Sequence, residues 1–186
     1  MPVLVRMTPT VQSNCLDALV ESARELAGTS FGGMAFEELG STDDFGVGHG
    51  AYLGLSAQDE PIQVGILVDS AGCQALAKAL LGMEPADEDL PDSDVGDAMC
   101  EVINMLAGGL KRRVSEQMAV TMGLPMFVAG QPLPNHQQTA VARRLKLGEV
   151  AAHVILLTQK QNAVPASRKA STKLTAVKLP AEEHSA

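Results

Sequence analysis

The alternation of apolar and polar positions divides the first 160 residues into a short series of elements. Residues 10–27, TVQSNCLDALVESARELA, repeat apolar side chains at helical spacing: Val11, Cys15, Leu19, Ala23 and Leu26. Thr10 is placed to cap this helix and Gly28 to stop it. MAFEEL (34–39) has the pattern of a strand, and STDDFGVGHG (41–50) reads as a loop. AYLGLSA (51–57) and PIQVGILVD (61–69) read as two strands of a hairpin, joined by a short polar turn. Residues 71–81, AGCQALAKALL, form a short helix closed by Gly82. An acidic, proline-containing loop follows. A long helix then runs from about Asp94 to about Met118. Residues 119–130, AVTMGLPMFVAG, read as a strand broken at Gly123–Pro125. TAVARRLKL (139–147) and EVAAHVILLTQ (149–159) make a second hairpin turning at Gly148.

The order is helix, strands, two helices, strands. Strict strand–helix alternation is missing, which excludes a Rossmann-type sheet. The pattern predicts an α+β fold: one domain with a mostly antiparallel sheet of about six strands, and two long helices and one short helix packed on it. Each half holds a long helix and about three strands, which predicts rough internal symmetry. The domain is expected over residues 1–158. Residues 159–186, rich in Ala, Ser, Lys and Pro, are expected to form a flexible tail.

On a helical wheel the long helix has two faces. Val95, Met99, Val102, Ile103, Leu106, Leu110 and Val114 make the apolar one. Asp97, Glu101, Asn104, Gly108 and Lys111 line a narrow stripe nearly opposite. Glu is ordinary on an exposed helix. Asn is a mediocre helix former, because its amide competes for backbone hydrogen bonds. Ala107-Gly108-Gly109 adds two glycines, each costing roughly 1 kcal/mol in a helix relative to Ala. A destabilised, bared polar face suggests docking by a partner.

Charge and composition narrow the options. The chain has 186 residues and a net charge of −8. Residues 159–186 hold five basic against two acidic side chains, while the rest holds nine against twenty. So acidic a body is a poor match for phosphate backbones, which argues against nucleic-acid binding. Cys15, Cys73 and Cys100 are isolated and odd in number, as expected of a reduced, cytoplasmic protein. No apolar run approaches the length of a membrane span.

Other chemistries find little support. The four histidines are scattered, without ligand spacing for zinc. FGVGHG (45–50) leads into a strand and not a helix, so it is a turn and not a phosphate cradle. DEDLPDSD (87–94) lacks the Gly and Glu of a calcium loop, and is expected to cap and charge the start of the long helix. Asp97 and Glu101 lie on one convex face, unlike a glycosidase pair across a cleft.

Asp97-xxx-Glu101-xx-Asn104, then Met-Leu-Ala-Gly-Gly, then a strand containing Pro125, resembles the CheC/CheX/FliY-type chemotaxis phosphatases, closest to the CheX-like branch. AYLGLSA, QVGILVD and ALAKALLGME resemble that family's paired strands and short helix, and the resemblance covers roughly residues 10–158. Pro125 stands slightly closer to Asn104 than in the family pattern. The resemblance implies a hydrolase for the aspartyl phosphate of a CheY-like receiver domain. Asn104 would orient the attacking water and Glu101 would pair with the receiver's lysine. Asp97, Gly108 and Lys111 would contact the partner. Mg²⁺ would belong to the receiver's active site, with no cofactor bound by this chain. A homodimer is also implied.

Asp17, Glu21 and Arg24 on the first helix repeat the spacing of Asp97, Glu101 and Asn104, with Arg in place of Asn. One active face per chain is therefore expected. Two other readings stand beside this one. The first is a non-catalytic adaptor of the same fold for a receiver or a chemotaxis or flagellar-switch partner. The second is a small enzyme unrelated to signalling, which would need a ligand-sized pocket.

Overall fold

A computed structural model of the chain describes residues 7–46, 48–57, 60–130, 134 and 136–160. Nearly all of the expected tail lies outside the described residues. The elements are α1 (Pro9–Thr29), β1 (Phe36–Thr42), β2 (His49–Ala57), β3 (Glu60–Val68), α2 (Ser70–Leu80), α3 (Asp92–Val114), β4 (Val120–Ala129), β5 (Gln138–Leu147) and β6 (Val150–Gln159). The six strands form one sheet in the order β1-β5-β6-β3-β2-β4, with every neighbouring pair antiparallel. The expected α+β architecture is the one observed.

The strand order contains the internal symmetry in a specific form. Exchanging β1 with β4, β2 with β5, and β3 with β6 reproduces the same sheet read backwards. Each half is thus a helix followed by three strands, and each half lends its first strand to the hairpin of the other. Helices α1 and α3 are equivalent in this scheme. They pack against each other on one face of the sheet, over a core that includes Leu16, Leu19, Leu53, Ile66, Met99, Ile103, Leu106, Leu110 and Leu145. All seven residues of the predicted apolar face of α3 are buried. The opposite face of the sheet carries a smaller buried cluster around Phe45, Tyr52 and Ile155.

Several ends differ from expectation. Helix α1 is capped by Thr8, not Thr10: the Thr8 hydroxyl accepts from the Val11 N–H at 3.3 Å. Pro9 follows as the first helical residue, where its fixed φ and missing N–H cost nothing. Gly28 does not stop the helix, which continues to Thr29. The turn is made instead by Gly32 and Gly33, with φ of 67° and 84°. β1 begins two residues later than predicted and runs to Thr42. Helix α3 begins after Pro91 with no side-chain cap, so the acidic loop charges its first turn through Asp92 and Asp94 but does not cap it. Its last turn carries Lys111, Arg112 and Arg113 and ends at Val114, four residues early, completing a favourable charge gradient along the helix dipole.

The break at Gly123–Pro125 is a β-bulge within a continuous strand. Leu53 pairs with Pro125 and Leu55 with Met122, so Gly123 and Leu124 oppose Gly54 alone. β4 is an edge strand, which is why it tolerates a proline without an N–H to donate.

Candidate functional site

The polar stripe of α3 follows from its apolar one. Because the buried face is fixed against the sheet, residues half a turn away are forced outward. Asp97, Glu101 and Lys111 are exposed, and Asn104 and Gly108 are half-buried. Glu101 and Asn104 stand one turn apart, and the Asn104 amide Nδ2 lies 3.5 Å from Glu101 Oε2. Among the described residues this marginal contact is the only side-chain hydrogen bond either makes. Asp97 has no hydrogen-bond or ion-pair partner among them. The structure therefore places all five predicted residues on one ridge.

The small residues on this helix do two different things. A Cβ added at Gly108 would meet nothing within 4 Å, so the space beside Asn104 is open. A Cβ at Gly109 would collide with Ser22 Oγ and lie 2.7 Å from Ser22 Cβ. Ala107 and Gly109 are both buried. The expectation that both glycines bare the helix for a partner is corrected: Gly109 serves the α1–α3 contact, and of the two only Gly108 faces open space. Gly96 plays a similar packing role, with Phe127 of β4 3.4 Å from where its Cβ would be.

Charged groups that the motif did not include flank the ridge. Arg112 reaches Glu25 of α1 at 2.6 Å, and Arg113 reaches the same carboxylate at 2.8 Å. A hydrogen bond from Arg113 and the charge of Arg112 hold the Glu25 carboxyl below its usual range. Arg113 also donates to Ser22 Oγ at 3.2 Å, tying the end of α3 to α1. On the other flank, burial and the charge of Asp97 push the Cys100 thiol up, against a backbone hydrogen bond from Phe127. Cys15 and Cys73 are buried and pushed up to about 11, so neither is poised as a nucleophile. The sequence signal for these flanking groups was weak. Basic residues near a helix C-terminus are ordinary, and the partner of Arg112 and Arg113 lies 87 or more residues away.

The equivalent stripe on α1 is occupied. Asp17 is 3.4 Å from Arg143, Glu21 is 3.4 Å from Arg24, and the Arg24 guanidinium lies 4.3 Å over the Phe36 ring.

No group of three or more His, Cys, Asp or Glu among the described residues could hold a metal ion. A ligand-sized cavity of about 520 Å³ lies away from the ridge, between α2 and the β5–β6 turn. Its chemistry-bearing side chains are committed. Lys78 binds Asp89 at 2.8 Å and the Asp87 carbonyl at 2.7 Å, and Gln74 binds both the N–H and the carbonyl of Leu90. No helix among the described residues is long and apolar enough to cross a membrane.

An amide and a carboxylate on a convex ridge cannot enclose a small substrate. They can enter another protein's site. Comparison with known proteins gives that arrangement a context. Residues 54–143 match the family model described as chemotaxis phosphatase CheX. No curated protein matches the sequence. Among solved structures, the chain is similar to CheX from Desulfovibrio desulfuricans at a TM-score of 0.66 and 18% identity, covering 78% of this chain and 99% of that one. It is also similar to a chain of the CheX-CheY-BeF₃-Mg²⁺ complex from Borrelia burgdorferi, at 0.63 and 15%, covering 84% and 100%. A third similarity is to the FliM middle domain from H. pylori, at 0.55 and 10%, covering 82% and 94%.

Proposed function

We propose that this chain, a CheX-like member of the CheC/CheX/FliY family, hydrolyses the aspartyl phosphate of a CheY-like receiver domain. The observation that carries the reading is the α3 ridge, where Glu101 and Asn104 are adjacent, outward-facing and, among the described residues, without other side-chain hydrogen-bond partners. A CheX of the same fold has been crystallised with CheY, Mg²⁺ and BeF₃, a mimic of a phosphoryl group, which supports a receiver as the partner.

The chemistry asks little of the enzyme. An acyl phosphate is already activated, so positioning supplies most of the acceleration. Asn104 enters the receiver's site and holds a water in line with the phosphorus. Its amide can accept from the water and donate to a phosphoryl oxygen at once. The water oxygen forms a bond to phosphorus as the bond to the aspartate oxygen breaks. Inorganic phosphate leaves, the water's proton goes to the phosphate or solvent, and the receiver's carboxylate is restored. Glu101 pairs with the receiver's lysine and fixes the approach. Asp97, Gly108 and Lys111 line the contact, with Gly108 leaving room for the partner's backbone. Mg²⁺ is supplied by the receiver.

The same reading places the protein in the cytoplasm with its receiver and makes it a homodimer. Pairing through the sheet is supported by β4, whose outer positions Leu124, Met126 and Val128 are exposed apolar side chains on an edge strand. The adaptor reading has one observation in its favour, the shared fold of the FliM middle domain.

The test is the decay of a phosphorylated receiver with and without this chain. Wild type accelerates decay. Asn104→Ala abolishes the acceleration while still binding the receiver. Binding without acceleration by wild type, across several receivers, would leave the adaptor.

A further inference from the structure

The cavity beside α2 is a groove with a distinct chemistry. Its floor is apolar and built from small or flexible residues: Ala71, Ala75, Ala79, Met34, Met83 and Val150. Ala71 and Ala75 are exposed on a helix face that nothing described covers. The rim is acidic. Glu149 and Asp89 line the groove, with side chains 94% and 78% exposed; Glu149 lies 3.2 Å from Lys146 Nζ and Asp89 2.8 Å from Lys78 Nζ. The adjoining loop adds Glu84, Asp87, Glu88, Asp92 and Asp94, all exposed, with no basic residue between Met83 and Asp94. Lys78 in the wall is buried and held by Asp89 and two loop carbonyls, so it offsets Asp89 and leaves the exposed loop acids to set the sign of the rim.

An apolar slot with a carboxylate rim selects a segment that carries apolar side chains among bases. The sequence outside the described residues contains one. Residues 168–179, RKASTKLTAVKL, hold four bases, no acid, and apolar side chains at Leu174, Val177 and Leu179. The length allows it to arrive. β6 begins at Val150 on the groove and ends at Gln159, so its far end is about 30 Å away at ~3.3 Å per residue. The thirteen residues from 161 to 173 can span about 43 Å when extended. Tethering raises the local concentration of such a segment to the millimolar range, so weak contacts suffice.

We propose that the C-terminal segment 168–179 docks in the groove between α2 and the β5–β6 turn. Leu174, Val177 and Leu179 fill the apolar floor, and Lys173 and Lys178 meet the rim carboxylates. The basic end of an acidic protein thereby has an intramolecular partner on a face away from the α3 ridge.

The test is zero-length carbodiimide crosslinking of the full chain, read by peptide mass mapping, with equal parts of ¹⁵N-labelled and unlabelled protein to separate links within a chain from links between chains. The expected result is intrachain amide bonds from Lys173 or Lys178 to Glu149 or the acids of residues 84–94. Ala75→Arg, which places a cation in the groove at an exposed helical position, should reduce them at least tenfold. Links scattered evenly over distant carboxylates such as Asp43 and Glu116, or no links from the segment, would overturn the proposal. So would links unchanged by Ala75→Arg, which would mean charge attraction without a seat. Links confined to mixed-label pairs would assign the groove to a second copy and also overturn it.

Discussion

Helices α1 and α3 occupy equivalent places in a symmetric sheet, and both carry an Asp-xxx-Glu-xx-X frame. Their side chains have opposite fates. On α1, Asp17 is held near Arg143, Glu21 near Arg24, and Arg24 lies over Phe36. On α3, Asp97 is unpartnered among the described residues, and there the one side-chain hydrogen bond of Glu101 and Asn104 is the marginal one between them. The spacing of a motif sets only which side chains share a face. Whether they remain available depends on what the rest of the fold offers them. A long cation at the third position reaches neighbouring carboxylates and rings and is absorbed into structure. A short neutral amide reaches only one turn along its own helix and stays free for a partner.

That contrast can be attacked from both sides. The largest expected effect comes from writing the α1 residue onto α3. Asn104→Arg should lower receiver dephosphorylation by about 10²-fold or more, since the water loses its positioning group. Its circular dichroism and unfolding midpoint should match wild type, as expected of an exposed-face change.

Next come the two adjacent glycines, which test how α3 divides its faces. Gly109→Ala should destabilise by about 1–3 kcal/mol in urea unfolding, because the new methyl overpacks against Ser22. Gly108→Ala meets open space and should stabilise by up to about 1 kcal/mol through helix propensity. If it also weakens receiver binding, the open space is used by the partner. Equal effects at both positions would break the distinction between a packing glycine and a surface one.

On α1, Arg24→Ala removes the stacking over Phe36 and should cost about 0.5–1 kcal/mol of stability with little change in phosphatase activity. The smallest effect concerns Glu25. Its folded carboxyl sits below the usual range, so its contribution is present above the unfolded value and is lost as pH falls through the folded one. Glu25→Gln should therefore lower stability slightly at neutral pH and converge with wild type well below pH 4.5, which flattens the acid limb of the stability–pH profile.

Much of this was legible in the sequence where periodicity and local chemistry decide the outcome. The buried stripe of α3 from Val95 to Val114, the two hairpins, α2 with its stop at Gly82, and the outward ridge of Asp97, Glu101, Asn104, Gly108 and Lys111 all follow from spacing. The family resemblance extended that reading to a receiver. What escaped depends on contacts distant in sequence. Gly108 and Gly109 are indistinguishable as letters, and only the position of Ser22, 87 residues before Gly109, separates them. The Gly123–Pro125 break became a bulge because β2 continues on its inner side. Thr8 outcompeted Thr10 because Pro9 is best placed as the first helical residue. Lys78 gave no hint in sequence that it would be buried as the anchor of the acidic loop.

The most direct test of the account is single-turnover phosphate release from one phosphorylated CheY-like receiver, comparing Asn104→Ala with Arg24→Ala in the full chain. The account predicts that Asn104→Ala reduces release to the receiver's own rate while Arg24→Ala stays within about twofold of wild type, a difference of under 0.5 kcal/mol in barrier. Release that survives Asn104→Ala and is lost in Arg24→Ala would assign the work to α1 and contradict it.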